Sequence, residues 1–176
     1  MKKRFNPDPK EKLAIEAWTN DSNPYKKYMW WGDEENPDVK PISETLFNLF
    51  EKYESNVEIG QIVYRGMALS QEEYDQYEFA NIRVGVRYSL DMLAITSFTK
   101  SEEIATAFAD DDEKEYAIIF ILNNDQSLID ISDYSSWPGE EETILSKNKW
   151  YNVINIDDFV EEGKKWKIIS LEPPIA

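Results

Sequence analysis

The order of secondary-structure signals predicts an α+β fold. Apolar residues recur at helical spacing through residues 1–56, and from Ile59 the pattern changes to short apolar runs separated by turn residues. With 176 residues, 41% of them hydrophobic and 14% aromatic, the chain is expected to fold as one domain with a real core. Residues 1–56 are expected as a helical flank and residues 57–176 as the β-rich core.

The first helix is expected from Lys10 to Trp18, with Leu13, Ala14, Ala17 and Trp18 on one side. A second, aromatic-rich helix is expected from Tyr25 to Trp31, ending at Gly32, and a polar loop from Asp33 to Lys40. The third helix, from Ser43 to Tyr53, carries the stripe Leu46, Phe47, Leu49, Phe50 and Tyr53. Ser43 is placed to cap it, with Ile42 and Phe47 as a hydrophobic staple. The first strand is expected from Ile59 to Met67. Ser70-Gln71-Glu72-Glu73 has capping-box spacing and starts a helix to about Phe79. A strand from Met92 to Phe98 and a short helix from Glu102 to Ala109 follow. The remaining strands are expected at Tyr116 to Leu122, Leu128 to Ser132, Glu142 to Ser146, Trp150 to Ile156 and Trp166 to Glu172, with turns at Lys147-Asn148 and Gly163.

Composition removes several kinds of chemistry. With no cysteine, disulfides and thiolate metal sites are excluded. With no histidine, Ser-His-Asp and Cys-His catalysis and His-ligated zinc are excluded, so catalysis must use carboxylates, hydroxyls, Lys, Arg or Tyr. The acids Asp110, Asp111 and Asp112 lack calcium-ligand spacing, and no metal is expected. No apolar run is long enough to span a membrane. Met1-Lys2-Lys3-Arg4 is basic, but Asn6-Pro7-Asp8-Pro9 follows in place of an apolar segment, so no secretory signal and a cytoplasmic site of action are expected. The formal charge of −16 repels phosphate polymers and attracts basic partners, besides serving solubility.

Three short motifs stand at strand ends. The first is Tyr64-Arg65-Gly66, closing the apolar run Ile62-Val63. The second is Ser97-Phe98-Thr99, closing Ile95-Thr96. The third is Glu140-Glu141-Glu142, opening the run Thr143-Ile144-Leu145. If all three acids were in the strand, Glu140 and Glu142 would share a face roughly 6–7 Å apart and Glu141 would face away. Like charges so placed raise the cost of ionising both, unless a cation or a reaction answers them. A solvated acidic turn is the alternative.

In this order the motifs resemble the arginine–serine–glutamate class of mono-ADP-ribosyltransferases, which includes toxin, vertebrate and phage enzymes. The class pattern is aromatic-Arg-Gly, Ser-x-Ser/Thr and Glu-x-Glu. The resemblance extends from about Ile59 to Pro173. It implies a two-sheet β core around an NAD cleft, with the helical segment flanking one side.

The resemblance also implies roles. Arg65, one of four arginines, would donate a bidentate fork to the NAD diphosphate or nicotinamide ribose, with Gly66 beside it. A buried ion pair is the other reading of Arg65. Arg83, Arg87 and Lys100 are secondary cations. Ser97 would hold the catalytic glutamate and line the nicotinamide site, or else be a satisfied strand-end hydroxyl. Thr99 reads first as a cap for the next helix, through Thr99-x-x-Glu102, and joins the cofactor site by proximity. Glu142 would be the catalytic carboxylate, stabilising the oxocarbenium-like state as the nicotinamide–ribose bond breaks. Glu140 would meet the acceptor guanidinium and take its proton. Trp137, in the turn before the acids, would cover that guanidinium, or else pack on the rim. The acidic stretch Phe108 to Lys114 departs from the class, whose members often carry an arginine there.

The resulting expectation is a monomeric enzyme that uses NAD as substrate and modifies an arginine on a target protein with a basic surface. NAD hydrolysis is the side reaction. Nucleic acid and membrane are not expected partners. The alternatives are another acceptor on the same fold, or a non-catalytic acidic interaction protein.

Overall fold

The structure, a computed structural model, describes residues 1–174. The last two residues of the expected domain, 175–176, lie outside the described residues. Five α-helices and eight strands are present among the described residues, and they fall into two compact units.

The first unit holds residues 1–59, 90–97 and 125–149. Helix α1 (Pro9–Asn20) begins with a full capping box, in which the Asp8 side chain accepts from Glu11 N–H and the Glu11 side chain accepts from Asp8 N–H. Helix α2 (Asn23–Trp31) stops at Gly32, whose φ of 71° is the left-handed conformation that glycine adopts without strain. Helix α3 (Val39–Lys52) lays its stripe against α1. Ala14, Ile15 and Trp18 of α1 and Leu46 and Leu49 of α3 meet Ile95, Ile129, Ile131 and Ile144 in one core. Strands β5 (Leu128–Asp130) and β6 (Glu142–Leu145) pair antiparallel, with Ile129 opposite Ile144. The helical flank thus shares a core with residues 125–149.

The second unit is a sheet with helices α4 (Gln71–Gln76) and α5 (Glu102–Ala109) packed on it. Its strands are β1 (Ile62–Leu69), β2 (Arg87–Ser89), β4 (Tyr116–Asn123), β7 (Trp150–Glu161) and β8 (Lys164–Glu172), in the order β2-β7-β8-β4-β1. Strand β4 is central, antiparallel to β1 and parallel to β8. Its continuous apolar run Ala117–Leu122 suits a strand covered on both faces. Strands β7 and β8 form a hairpin closed by Glu162 and Gly163, with φ of 52° and 80°. Positive φ at both positions is the type I′ turn that matches strand twist. Gly66 of β1 lies against α5. A Cβ there would fall onto the Ala105 carbonyl oxygen and 2.7 Å from its carbon. Strand β3 (Thr96–Thr99) divides between the units. Its first two residues belong to the first, and Thr99, opposite Tyr64, belongs to the second.

Several local expectations need correction. The buried stripe of α1 is Glu11, Ala14, Ile15 and Trp18, while Leu13 is exposed. Glu11 tolerates burial because the Tyr53 hydroxyl donates to it at 2.6 Å and Lys52 at 3.2 Å. Helix α3 starts a turn early, because Pro41 in the first turn has no N–H to lose. Ser43 is therefore an interior residue, with its hydroxyl buried and unpaired, and not a cap. The strand expected from Met92 begins only at Thr96. The Asp91 carboxylate accepts from the N–H groups of Leu93 and Ala94, both at 2.9 Å, and this local turn displaces the strand ladder. Helix α5 is capped by Ser101, which accepts from Ile104 N–H, whereas Thr99 accepts from Ser101 N–H one step earlier. Strand β2 is only three residues long and escaped periodicity.

Candidate active site

The site grows from the turn before β6. Trp137-Pro138-Gly139-Glu140 winds into a single 3-10 turn (Pro138–Glu140), and Glu141 then takes φ 49°, ψ 46°. The strand starts only at Glu142. Glu140 and Glu142 therefore do not share a strand face, as the sequence suggested. A left-handed residue stands between them, because Pro-Gly favours a turn over extended chain. Glu141 is exposed, as expected, but through this reversal and not through strand alternation. Thr143, Ile144 and Leu145 are buried and anchor the strand, which holds Glu142 at its mouth.

The turn is tied to α1. Ser136 N–H donates to the Thr19 hydroxyl at 2.9 Å, and the Ser136 hydroxyl donates to the Glu16 carbonyl at 3.1 Å. Trp137 is 57% exposed, and its carbonyl accepts from Glu140 N–H at 3.0 Å, so the exposed indole and the half-buried Glu140 belong to one turn.

Glu142 is the centre. Its Oε2 accepts from the Ser97 hydroxyl at 2.8 Å and from the Trp18 indole N–H at 2.9 Å. Trp18 Nε1 also lies 3.2 Å from Ser97 Oγ. Burial pushes the Glu142 carboxyl above its ordinary value; the hydrogen bonds from Ser97 and Trp18 oppose this, Glu140 adds to it, and Lys26 opposes it. Lys26 reaches over the Trp18 ring, 5.7 Å from its centroid. The result is a fixed carboxylate that is expensive to ionise, held by two donors beside a second carboxylate. Such a group can stabilise positive charge that develops near it.

Ser97, Glu140, Glu142 and Trp137 thus belong to the first unit, with Ser97 and Glu142 in direct contact. Arg65, Gly66 and Thr99 belong to the second. Arg65 is half-buried on β1, opposite Phe120 of β4. Gly66 has a packing duty toward α5, and Thr99 is buried. Of the secondary cations, Arg83 and Arg87 are exposed and Lys100 is half-buried. In the acidic loop, Lys164 pairs with Asp110 at 3.4 Å, and Lys114 with Glu73 at 2.8 Å.

Helical periodicity marks Trp18 only as a core residue. A buried indole needs an acceptor, so its N–H was a usable signal. Nothing local named Glu142, 124 positions away, as that acceptor.

No family model matches the sequence, and no curated protein matches it. Solved structures do. Vis toxin, an ADP-ribosyltransferase from Vibrio splendidus, superposes with a TM-score of 0.70 at 17% identity, over 96% of this chain and 75% of that one. Plx2a, an ADP-ribosyltransferase toxin from Paenibacillus larvae, gives 0.66 at 15% identity, over 94% and 86%. The ADP-ribosyltransferase HopU1 of Pseudomonas syringae gives 0.61 at 19% identity, over 92% and 75%. The chain therefore has the fold of the ADP-ribosyltransferase toxins.

Proposed function

We propose that this protein is a mono-ADP-ribosyltransferase that breaks the nicotinamide–ribose bond of NAD and transfers ADP-ribose to an arginine of a target protein. The observation that carries the reading is Glu142, a part-buried carboxylate at the start of a strand, with Ser97 and Trp18 donating to it at 2.8 and 2.9 Å. In this reading that group has a specific task. As the bond between C1′ and the nicotinamide nitrogen breaks, its electron pair leaves with neutral nicotinamide and positive charge develops on the ribose. A preorganised carboxylate stabilises that charge without reorganising, which is worth more than the same contact in water.

The other residues complete the scheme. Arg65 binds the diphosphate or the nicotinamide ribose through its planar fork, with Gly66 and Thr99 beside it. Glu140 pairs with the acceptor guanidinium and takes the proton released as the new bond from nitrogen to C1′ forms. Trp137, exposed in the same turn, offers a flat face to that guanidinium. When no acceptor is present, water attacks C1′ and free ADP-ribose results. The guanidinium preference is supported by the Glu140–Trp137 turn and by a structure of Vis in complex with agmatine, itself a guanidinium compound. The charge of −16 favours a target with basic surroundings.

The test is incubation with NAD, with and without agmatine, while following nicotinamide release and the appearance of ADP-ribosyl-agmatine. Nicotinamide release in both and adduct in the second is the expected result. No nicotinamide release in either would overturn the reading. Release without any guanidinium adduct would overturn the arginine preference alone.

A further inference from the structure

We infer that Trp18 is a positioning residue for this reaction: its indole N–H, together with the Ser97 hydroxyl, pins Oε2 of Glu142 and leaves Oε1 as the oxygen that meets the substrate. The inference rests on the activity proposed above.

The Ser97 hydroxyl at 2.8 Å and the Trp18 indole N–H at 2.9 Å both donate to the same carboxylate oxygen of Glu142. A carboxylate oxygen has about two acceptor directions, so Oε2 is filled. A proton or a ribose hydroxyl must then go to Oε1. The two donors are not equivalent. The serine hydroxyl is a rotor that can turn to another acceptor. An indole N–H points only where its ring points, and this ring is 1% exposed, packed among Ala14, Ile15, Leu46 and Leu49. The helix that carries it is fixed at its start by the Asp8–Glu11 capping box and near its end by Ser136. Trp18 is therefore the rigid member of the clamp, and it also lies 3.2 Å from Ser97 Oγ, so it constrains the rotor.

The clamp has an electrostatic consequence. Glu142 meets Glu140 from the preceding turn, which disfavours its charge. It meets Lys26 from α2, Ser97 from β3 and Trp18 from α1, which favour it. Without the indole donor, the carboxyl holds its proton to higher pH, and Oε2 keeps only the Ser97 rotor, so neither oxygen is fixed for the reaction.

Two measurements test this. The first compares wild type with Trp18→Phe, which keeps a packed ring and removes the N–H, and with Ile15→Ala, which loosens the same core without touching the carboxylate. For Trp18→Phe, kcat for nicotinamide release per folded molecule should fall about 10²-fold, as expected for loss of placement. Its KM for NAD should stay within about twofold, and the acid limb of its pH profile should move up. Ile15→Ala should melt lower yet keep wild-type kcat and limb. If Trp18→Phe keeps kcat and limb, or if Ile15→Ala moves them equally, the positioning role is wrong. The second measurement needs neither a folded Trp18→Phe nor any activity. In wild-type protein the Trp18 indole N–H resonance should titrate with the Glu142 carboxyl, and that titration should vanish in Glu142→Gln. An indole resonance that ignores pH, or that titrates alike in both, overturns the clamp. A wild type that titrates as described but releases no nicotinamide would overturn the activity and leave the clamp standing.

Discussion

Replacing Glu142 by Gln separates what the carboxylate does for the reaction from what it costs the fold. The amide is nearly isosteric. Its oxygen can take the same two donors, Ser97 at 2.8 Å and Trp18 at 2.9 Å, so packing is retained. The negative charge is lost. Removing one preorganised electrostatic group costs on the order of 10²–10³ in rate, about 2.7–4 kcal/mol, and both transfer and NAD hydrolysis should fall by that factor with NAD affinity nearly intact. Stability should move the other way. The folded carboxyl sits above its ordinary value, chiefly through burial, so the folded state binds this proton more readily than the unfolded chain does. The contribution to stability is complete below the unfolded value of about 4.3 and is lost as pH rises through the folded value. Where the folded wild-type carboxyl is ionised it bears the cost of burying that charge, and at about pH 7 Glu142→Gln should melt at or above it. Below about pH 4 the wild-type carboxyl is neutral as well, and the two melting curves should converge. The assays are nicotinamide release, calorimetric NAD binding and thermal melts at the two pH values. Nicotinamide release within tenfold of wild type would remove Glu142 from the mechanism. A variant that melts lower at pH 7, with the gap persisting at pH 4, would show the group to be a structural hydrogen-bond acceptor.

Glu140→Gln should keep much of the NAD hydrolysis while losing transfer to a guanidinium; equal loss of both in side-by-side assays would end that division of labour. Glu141→Gln, at an exposed left-handed residue, should change neither. Arg65→Lys should weaken NAD binding in calorimetry with a near-normal melt, since a point charge cannot reproduce the bidentate fork; a large drop in melting temperature with unchanged affinity would make Arg65 a structural ion pair. Gly66→Ala should lower stability by about 1–3 kcal/mol or more in urea unfolding, because the added Cβ strikes the Ala105 carbonyl backbone of α5 and neither strand nor helix can yield easily. An unchanged midpoint would mean that α5 does not sit so close to β1.

Much of the architecture was legible from local signals. The bounds of helix α5, the capping box of Ser70 and Glu73 before Gln71, and the strand from Tyr116 to Leu122 are all visible in the sequence. In each case the chemistry that defines the element lies within a few residues of it. Of Arg65, Ser97 and Glu142, each expected at a strand end, only Glu142 stands at one; Arg65 and Gly66 lie in the middle of β1, which runs on to Leu69, and Ser97 is the second residue of β3. Misreadings arose where a side chain outcompeted the pattern: Asp91 replaced a strand by a turn, Pro41 let α3 begin early, and Pro138-Gly139 put Glu140 in a helical turn.

Sequence alone determined which chemistry was possible. Without cysteine or histidine, only carboxylates, hydroxyls, Lys, Arg and Tyr could act, and the order of Arg65, Ser97 and Glu142 carried the resemblance to one enzyme class. Tertiary structure decided which atoms meet. The Trp18 indole finds Glu142 across 124 positions of chain, and Gly66 is required by the Ala105 carbonyl on another element. Periodicity tells that a tryptophan is buried, because burial follows from the face of its own helix. Which acceptor its N–H reaches depends on how α1 packs against the β6 end of the same core, and that choice is made by the summed contacts of the core, which no local window of sequence contains.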